Sequence, residues 1–160
     1  MKLKINKVKI TSEDEYGGIY EYTTYGVLES GYKIELISSS RIDPRKFINQ
    51  TIECLILANE LYDLQIETEI KVDLITKKIY GKYLGEYEIP KMWNFKHIIK
   101  FDAVKSLDGH ILIYKRDFNK LDERTKNYYN IKIKKPLKKG NIISFYTEKF
   151  TLLAWIPIED

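Results

Sequence analysis

Alternation of apolar and polar residues at period two is the feature that most constrains the fold of this chain. Successive side chains of a β-strand point to opposite faces, so this period indicates strands with one buried face. Runs rich in Ile, Tyr and Thr carry the pattern over residues 2–10, 19–29 and 32–39. Ser30-Gly31 is a two-residue turn signal, so the second and third runs should pair as a hairpin.

A short helical turn is predicted after these strands. Asp43 can cap a helix N-terminus, and Pro44 fits the first helical position without losing a needed hydrogen bond. Residues 51–57 then have the pattern of a fourth strand. This order, a three-stranded meander followed by a helical turn and a strand, resembles the start of an oligonucleotide/oligosaccharide-binding (OB) barrel. The resemblance implies an OB-like arrangement in the N-terminal part.

Strands dominate the rest of the chain as well. Residues 66–74 alternate cleanly and should pair with 79–84 across Lys77-Lys78. Asp108-Gly109 is the strongest hairpin signal in the sequence, because a type I′ turn needs positive φ at both centres. Asp117 can cap a helix over residues 118–128. The remaining predicted strands are 98–106, 110–115, 130–135, 141–147 and 150–156, and residues 91–97 show no clear period.

The expected fold is therefore all-β and mainly antiparallel, with about ten strands and one or two short helices. A small β-barrel or a β-sandwich fits this pattern. The 160 residues suffice for one domain spanning 1–160, with a possible subdivision near Pro90.

Charge is distributed unevenly along the chain. Residues 1–90 contain 12 basic and 15 acidic side chains, whereas residues 91–160 contain 15 basic and 8 acidic ones. A basic C-terminal part interleaved with aromatic residues suits single-stranded nucleic acid, because cations neutralise phosphates and rings stack on bases. The candidate residues for this role are Lys115, Arg116, Tyr128, Tyr129, Lys132, Lys134, Lys135, Lys138 and Lys139. Lysines at sheet edges also prevent aggregation, so a purely protective role is the alternative.

Tyrosine is abundant, with 13 copies, and many of them fall on the predicted hairpins. An amphipathic ring suits a half-buried sheet face and equally a recognition surface. As a surface for a protein partner, the candidate residues are Tyr20, Tyr22, Tyr25, Tyr32, Tyr80 and Tyr83.

Catalytic motifs are scarce. With two His and one Cys, the chain has few ways to form a nucleophile–base pair or a zinc site, and no metal or cofactor is expected. Asp63 with Glu69 and Lys71 matches a loose nuclease pattern, although a strand with one solvated face accounts for the same residues. Cys54 lies in an apolar run and should be buried.

Three hypotheses about function follow from these patterns. The first is a non-catalytic binding or adaptor module that docks on a protein partner within a multi-protein system. The second is an electrostatic single-stranded nucleic-acid-binding protein, and the third is a metal-dependent hydrolase that uses acidic residues. The sequence shows no secretion signal and no apolar stretch of membrane-spanning length, which predicts a cytoplasmic protein without a membrane partner.

Overall fold

A computed structural model describes residues 1–95 and 99–158 of the chain. Ten strands lie in these ranges, together with one α-helix, α1 (Glu123–Tyr129), and three short 3₁₀ turns. The strands are β1 (Lys2–Glu13), β2 (Ile19–Leu28), β3 (Lys33–Ser39), β4 (Thr51–Ala58), β5 (Tyr62–Glu67), β6 (Ile79–Tyr87), β7 (Phe101–Ser106), β8 (Gly109–Tyr114), β9 (Ile142–Tyr146) and β10 (Phe150–Pro157). The all-β prediction is confirmed.

Five strands close into a small barrel in the order β1-β2-β3-β10-β4-β1. β3 and β10 run parallel and the other neighbours are antiparallel. The predicted meander is present, and a 3₁₀ turn at Arg45–Phe47 precedes β4 as expected. The OB-like order of the first sixty residues is thus completed by the last strand of the chain. Register shifts in β1 after Ile5 and Ile10 bend the strand, which helps the sheet to curl.

A second sheet continues from the barrel through the shared strand β4. Its order is β4-β8-β7-β6-β9-β5, so β5 is the outer strand. β8 lies parallel to β4, and β7 and β8 form the predicted hairpin. The predicted type I′ turn is wrong, because Gly109 has a φ of +126° but Asp108 does not have a positive φ, and Gly109 already pairs with Ser106.

The larger core is formed by side chains from both sheets. Leu3, Ile5 and Ile52 from the barrel are buried in the same cluster as Ile143 and Phe145 of the second sheet. A smaller cluster around Leu55, Leu57 and Phe101 lies apart from it. The predicted burial of Cys54 is confirmed, and this burial raises the pKa of its thiol to about 12.

The strand predicted over residues 66–74 is wrong beyond Glu67, and its predicted hairpin with 79–84 is absent. Strand β9 lies between β5 and β6, so these two strands do not pair. Residues 68–78 instead form an irregular loop held by Asp73. The Asp73 carboxylate accepts hydrogen bonds from the backbone amides of Ile75 and Thr76, a local alternative to strand pairing.

The strand predicted over residues 130–135 is also wrong, and the helix predicted over 118–128 is shorter than expected. Asp122, rather than Asp117, caps α1 by accepting a hydrogen bond from the Thr125 amide at 2.7 Å. Asn130 ends the helix in a left-handed conformation. The following segment has no regular structure, and only Ile133 within it is buried. Lys132 and Lys134 therefore do not share a strand face.

Two sequence predictions fall partly outside the described residues. The strand predicted over residues 98–106 starts at residue 98, which lies outside the described residues, and β7 begins at Phe101. The segment without a clear period, residues 91–97, includes His97, which also lies outside the described residues. Among the described residues, no helix has the length and apolar character needed to cross a bilayer.

Candidate functional site

The residues predicted to bind nucleic acid lie mostly on α1 and on the segment after it, which starts beside the outer strand, β5, and ends beside Tyr83 of β6. α1 and the segment after it run beside this strand, and the Lys132 amide donates to the Leu64 carbonyl at 2.8 Å. The Asn130 side-chain amide donates to Asp63, which fixes the start of the segment. We call the following set the basic strip: Arg116, Tyr128, Tyr129, Lys132, Lys134, Lys135, Lys138 and Lys139.

The five lysines of the basic strip are all exposed, while Ile133 between them is only 2% exposed. Ile133 therefore anchors the segment, and the lysine side chains point away from the core. Within the described residues, none of these five ammonium groups lies within ion-pair distance of a carboxylate. Their charge is thus available to an external anion.

Lys115 differs from the other predicted cations. Its ammonium group lies 3.0 Å from Glu86, which also binds Lys100 at 3.2 Å. The two ammonium groups hold the pKa of the Glu86 carboxyl below its ordinary value. Lys115 shares this one carboxylate with Lys100, so part of its charge is compensated within the chain, and it is not included in the basic strip.

A cluster of three tyrosines lies at one end of the basic strip. The ring centroids of Tyr129 and Tyr62 are 5.1 Å apart, and those of Tyr129 and Tyr128 are 4.8 Å apart. Tyr128 is 72% exposed. Glu60 joins the cluster, since its carboxylate accepts from the Tyr62 hydroxyl at 2.9 Å and the Tyr129 hydroxyl at 3.4 Å. These contacts raise the pKa of Tyr62, chiefly through the hydrogen bond, and that of Tyr129, chiefly through burial.

Beside the tyrosine cluster lies a small cleft of about 20 Å³, which is room for little more than one water molecule. Its floor is apolar and includes Leu61, Phe118 and Ile131. Its polar rim is formed by Asn59, Glu60, Arg116 and the ring of Tyr129. The cleft therefore places apolar side chains beside a cation, Arg116, and an acceptor, Glu60.

Tyr62 and Glu60 are functional candidates that the sequence analysis missed. Tyr62 begins β5, and Glu60 lies two residues before it. In extended backbone, residues two apart have their side chains on the same face. Glu60 and Tyr129 are separated by 69 residues, so only the fold brings them together.

The tyrosines predicted to bind a partner are mostly engaged in contacts within the chain. Tyr22 is buried under the Arg45 guanidinium, which lies 5.0 Å from its ring centroid. The Tyr83 hydroxyl donates to the buried Asp102 carboxylate at 2.7 Å, and the Tyr32 hydroxyl donates to the Lys77 carbonyl at 3.0 Å.

The remaining partner candidates differ in exposure. Tyr25 and Tyr80 are half-buried, with the ammonium groups of Lys9 and Lys78 at 5.7 and 5.9 Å from their ring centroids. Tyr20 is 60% exposed at the end of the first hairpin.

A second exposed surface lies on the loop over residues 68–78 and on the turn between β7 and β8. Val72, Leu74, Ile75 and Leu107 are 43%, 50%, 93% and 65% exposed, and we call them the apolar tip. Val72 and Leu107 line one cleft with residues from the mouth of the barrel.

The loop that carries the apolar tip is fixed in place. The Thr76 hydroxyl and amide bind Asp73 and hold the pKa of its carboxyl below its ordinary value. The loop is tied to the barrel through the Tyr32 hydroxyl, and burial together with the Asp73 charge raises the pKa of Tyr32 to about 12.

The residues of the loose nuclease pattern are not assembled into a metal site. Asp63 binds Asn130, and Glu69 forms an ion pair with Lys71 at 3.3 Å. Among the described residues, no three His, Cys, Asp or Glu side chains lie together as possible metal ligands. His110 stacks against Tyr87, with ring centroids 5.0 Å apart, and burial lowers the pKa of its imidazole.

Comparisons with known proteins give little to set beside this geometry. No protein-family model matches the sequence, and no curated protein matches it. The chain is similar to a solved structure of the cytoplasmic molybdate-binding protein ModG with molybdate bound, at 9% sequence identity. That similarity covers 99% of this chain and 94% of that chain, with a TM-score of 0.39.

Proposed function

We propose that the chain is a non-catalytic binding module that holds single-stranded nucleic acid along the basic strip. The observation that carries this proposal is the group of five exposed lysines without acidic partners, which follows the tyrosine cluster in sequence. Lysines supply counterion release along phosphates, and the Tyr128 ring offers a stacking surface to a base. The segment that carries the lysines is anchored by Ile133, by the hydrogen bond from the Lys132 amide to the Leu64 carbonyl and by the one from the Gly140 amide to the Tyr83 carbonyl.

Three lysines of the second sheet and its loops lie beside acidic side chains, unlike the lysines of the basic strip. Lys100 and Lys115 are paired with Glu86, and Lys78 lies 3.7 Å from Glu67. Residues 132–139 carry five exposed lysines close together in sequence, while Lys82 and Lys105 are exposed cations elsewhere on the second sheet. We also propose that residues 1–160 form one domain, since β10 completes the barrel begun by β1–β4.

The test is binding of a fluorescein-labelled fifteen-nucleotide oligothymidine, dT15, measured by anisotropy across a salt series. We expect binding at about 50 mM monovalent salt that weakens steeply as salt is added. If the five lysines and Arg116 each neutralise one phosphate, log K should fall with log[salt] with a slope of about −4. Absence of binding at about 50 mM salt, or a slope near zero, would contradict the proposal.

Docking on a protein partner is a second candidate function, and the apolar tip favours it. Four exposed apolar side chains on a fixed loop and a hairpin end form a protrusion that water solvates poorly. A photo-crosslinking amino acid at position 75 should give one discrete adduct in the native cell. The same residue at position 148, which is exposed on another loop, should not. If both positions give uncrosslinked chain and no adduct, the result contradicts docking at the tip.

A further inference from the structure

We infer that a bound single strand continues from the basic strip onto the outer face of the second sheet, where Lys82 and Lys105 bind its phosphates. This inference rests on the proposed function, because it extends the same interface. The outer face is the side of β6, β7 and β9 that points away from the larger core. The ligand is thus an extended strand rather than a mononucleotide.

The direction of the two lysine side chains follows from their neighbours in the strands. Val104 of β7 is buried in the larger core, and so is Ile79, three residues before Lys82 on β6. Side chains alternate between the two faces of a strand, so Lys105 and Lys82 both point to the outer face. Both lysines are exposed there.

These two lysines lie directly opposite each other on adjacent strands. Lys82 pairs with Lys105 in the register of β6 and β7. Cβ atoms at such positions are about 4.5–5.5 Å apart, and like charges there destabilise a sheet. Among the described residues, neither ammonium group lies within ion-pair distance of a carboxylate. The pair is therefore a site of uncompensated positive charge, which a bound phosphate would neutralise.

His110 continues the same row onto β8, where it pairs with Lys105. Burial lowers the pKa of the His110 imidazole, and the neighbouring charge of Lys105 lowers it further. The imidazole is therefore neutral at pH 7.5. The cationic part of the row thus consists of Lys82 and Lys105.

The basic strip ends beside this lysine pair. The Gly140 amide donates to the Tyr83 carbonyl at 2.8 Å. Lys139 precedes Gly140 and Lys82 precedes Tyr83, so the two lysines flank one backbone hydrogen bond. A strand bound to the end of the basic strip therefore has the lysine pair as its next cations on β6 and β7.

A tyrosine on the outer face offers a ring to the bases of the strand. Tyr80 lies two residues before Lys82 on β6, so both side chains are on the same face. The Tyr80 ring is half-buried, with the Lys78 ammonium group 5.9 Å from its centroid. Cations beside an aromatic ring are the combination that binds single strands without sequence preference.

The test removes the lysine pair and measures dT15 binding by anisotropy across a salt series. In Lys82→Gln/Lys105→Gln two phosphate contacts are lost, so the slope of log K against log[salt] should become shallower by about 1.4. The affinity at about 50 mM salt should fall at least fivefold. Because the two ammonium groups repel each other in the parent chain, the melting temperature should not fall, and unfolding would not explain the loss of binding.

The matched control is Lys4→Gln/Lys33→Gln. It also removes two positive charges, from exposed positions on the barrel that both register with Val27. Its slope and affinity should stay close to those of the parent chain.

The stacking contact is tested by comparing Tyr80→Phe with Tyr80→Leu. The first keeps an aromatic ring and should bind dT15 like the parent chain. The second fills the site without a ring and should bind about fivefold more weakly, the lower end of what one stacked base contributes. Equal binding by the two variants would overturn the stacking at Tyr80.

Two further outcomes would overturn the inference and are distinguishable from each other. If Lys82→Gln/Lys105→Gln binds no more weakly than the control variant, the strand does not cross the outer face, while the basic strip still binds it. If the parent chain does not bind dT15 at about 50 mM salt, the proposed function itself fails, and the extension of the interface with it.

Discussion

A fragment of residues 1–90 is expected to be unfolded when produced alone. It contains β1–β6 but lacks β10, which pairs with β4 over seven registered positions from Phe150 to Pro157 and closes the barrel. It also lacks β8, the other neighbour of β4. Without them, β4 keeps only its three-residue pairing with β1, and its apolar side chains are exposed to water. Circular dichroism and the dispersion of amide signals in NMR would show whether the fragment is unfolded.

Because the N-terminal strands depend on β10 and β8, the full chain should unfold in one cooperative transition. Leu152 on β10 is 1% exposed in the core that also contains Leu3 and Ile5. Leu152→Ala should therefore lower the free energy of unfolding by about 2–5 kcal/mol. Lys149→Ala, at an exposed position before the same strand, should change it little. A fragment that unfolds cooperatively on its own, or two separate transitions in the full chain, would show instead that the two parts fold independently.

Hairpins and the N-terminal order could be predicted because their signals are local. Ser30-Gly31 and Asp108-Gly109 each indicate a hairpin from adjacent residues, and both hairpins are confirmed, although neither turn has the predicted form. The closure of the barrel could not be predicted in this way. Leu36 of β3 pairs with Phe150 of β10 in parallel, and no turn joins these strands to reveal the pairing.

Alternation predicts strands over residues 66–74 and 130–135 that the structure does not form there, because other contacts take the place of strand pairing. Val72 and Leu74 continue the period of β5, yet β9 already occupies the side where β6 was expected, and Asp73 draws the backbone into a loop. Ile131 and Ile133 alternate with lysines in the same way. There the left-handed Asn130 and a single hydrogen bond to β5 replace a strand.

The positive charge of the candidate site could be predicted from the sequence, but the residues that surround this charge could not. The lysines of residues 132–139 are close in sequence, so their clustering required no knowledge of the fold. The partners that turn this charge into a site come from elsewhere, since Tyr62 and Glu60 lie on and before the outer strand. The ion pair of Lys115 with Glu86 is likewise a contact between residues that lie 29 positions apart in sequence.

Reversing two charges of the basic strip should nearly abolish binding of single strands. In Lys134→Glu/Lys138→Glu, two phosphate contacts are lost and two carboxylates repel the backbone of the strand. Each lost contact should reduce the salt slope by about 0.7, so the slope for dT15 should become shallower by about 1.4. We expect the affinity at about 50 mM salt to fall at least tenfold, measured by anisotropy. Both positions are exposed, so the fold should be retained.

The matched control is Lys4→Glu/Lys33→Glu, on the outer face of the barrel. Lys4 and Lys33 are exposed on either side of β2, where both register with Val27. The two double variants lower the formal net charge of the chain, +4, by the same amount, so a general charge effect would weaken binding equally in both. A local contact should weaken it in the strip variant alone. Equal losses in the two variants would mean that the strand is attracted by overall charge, because the basic strip would then contribute no more than any other pair of lysines.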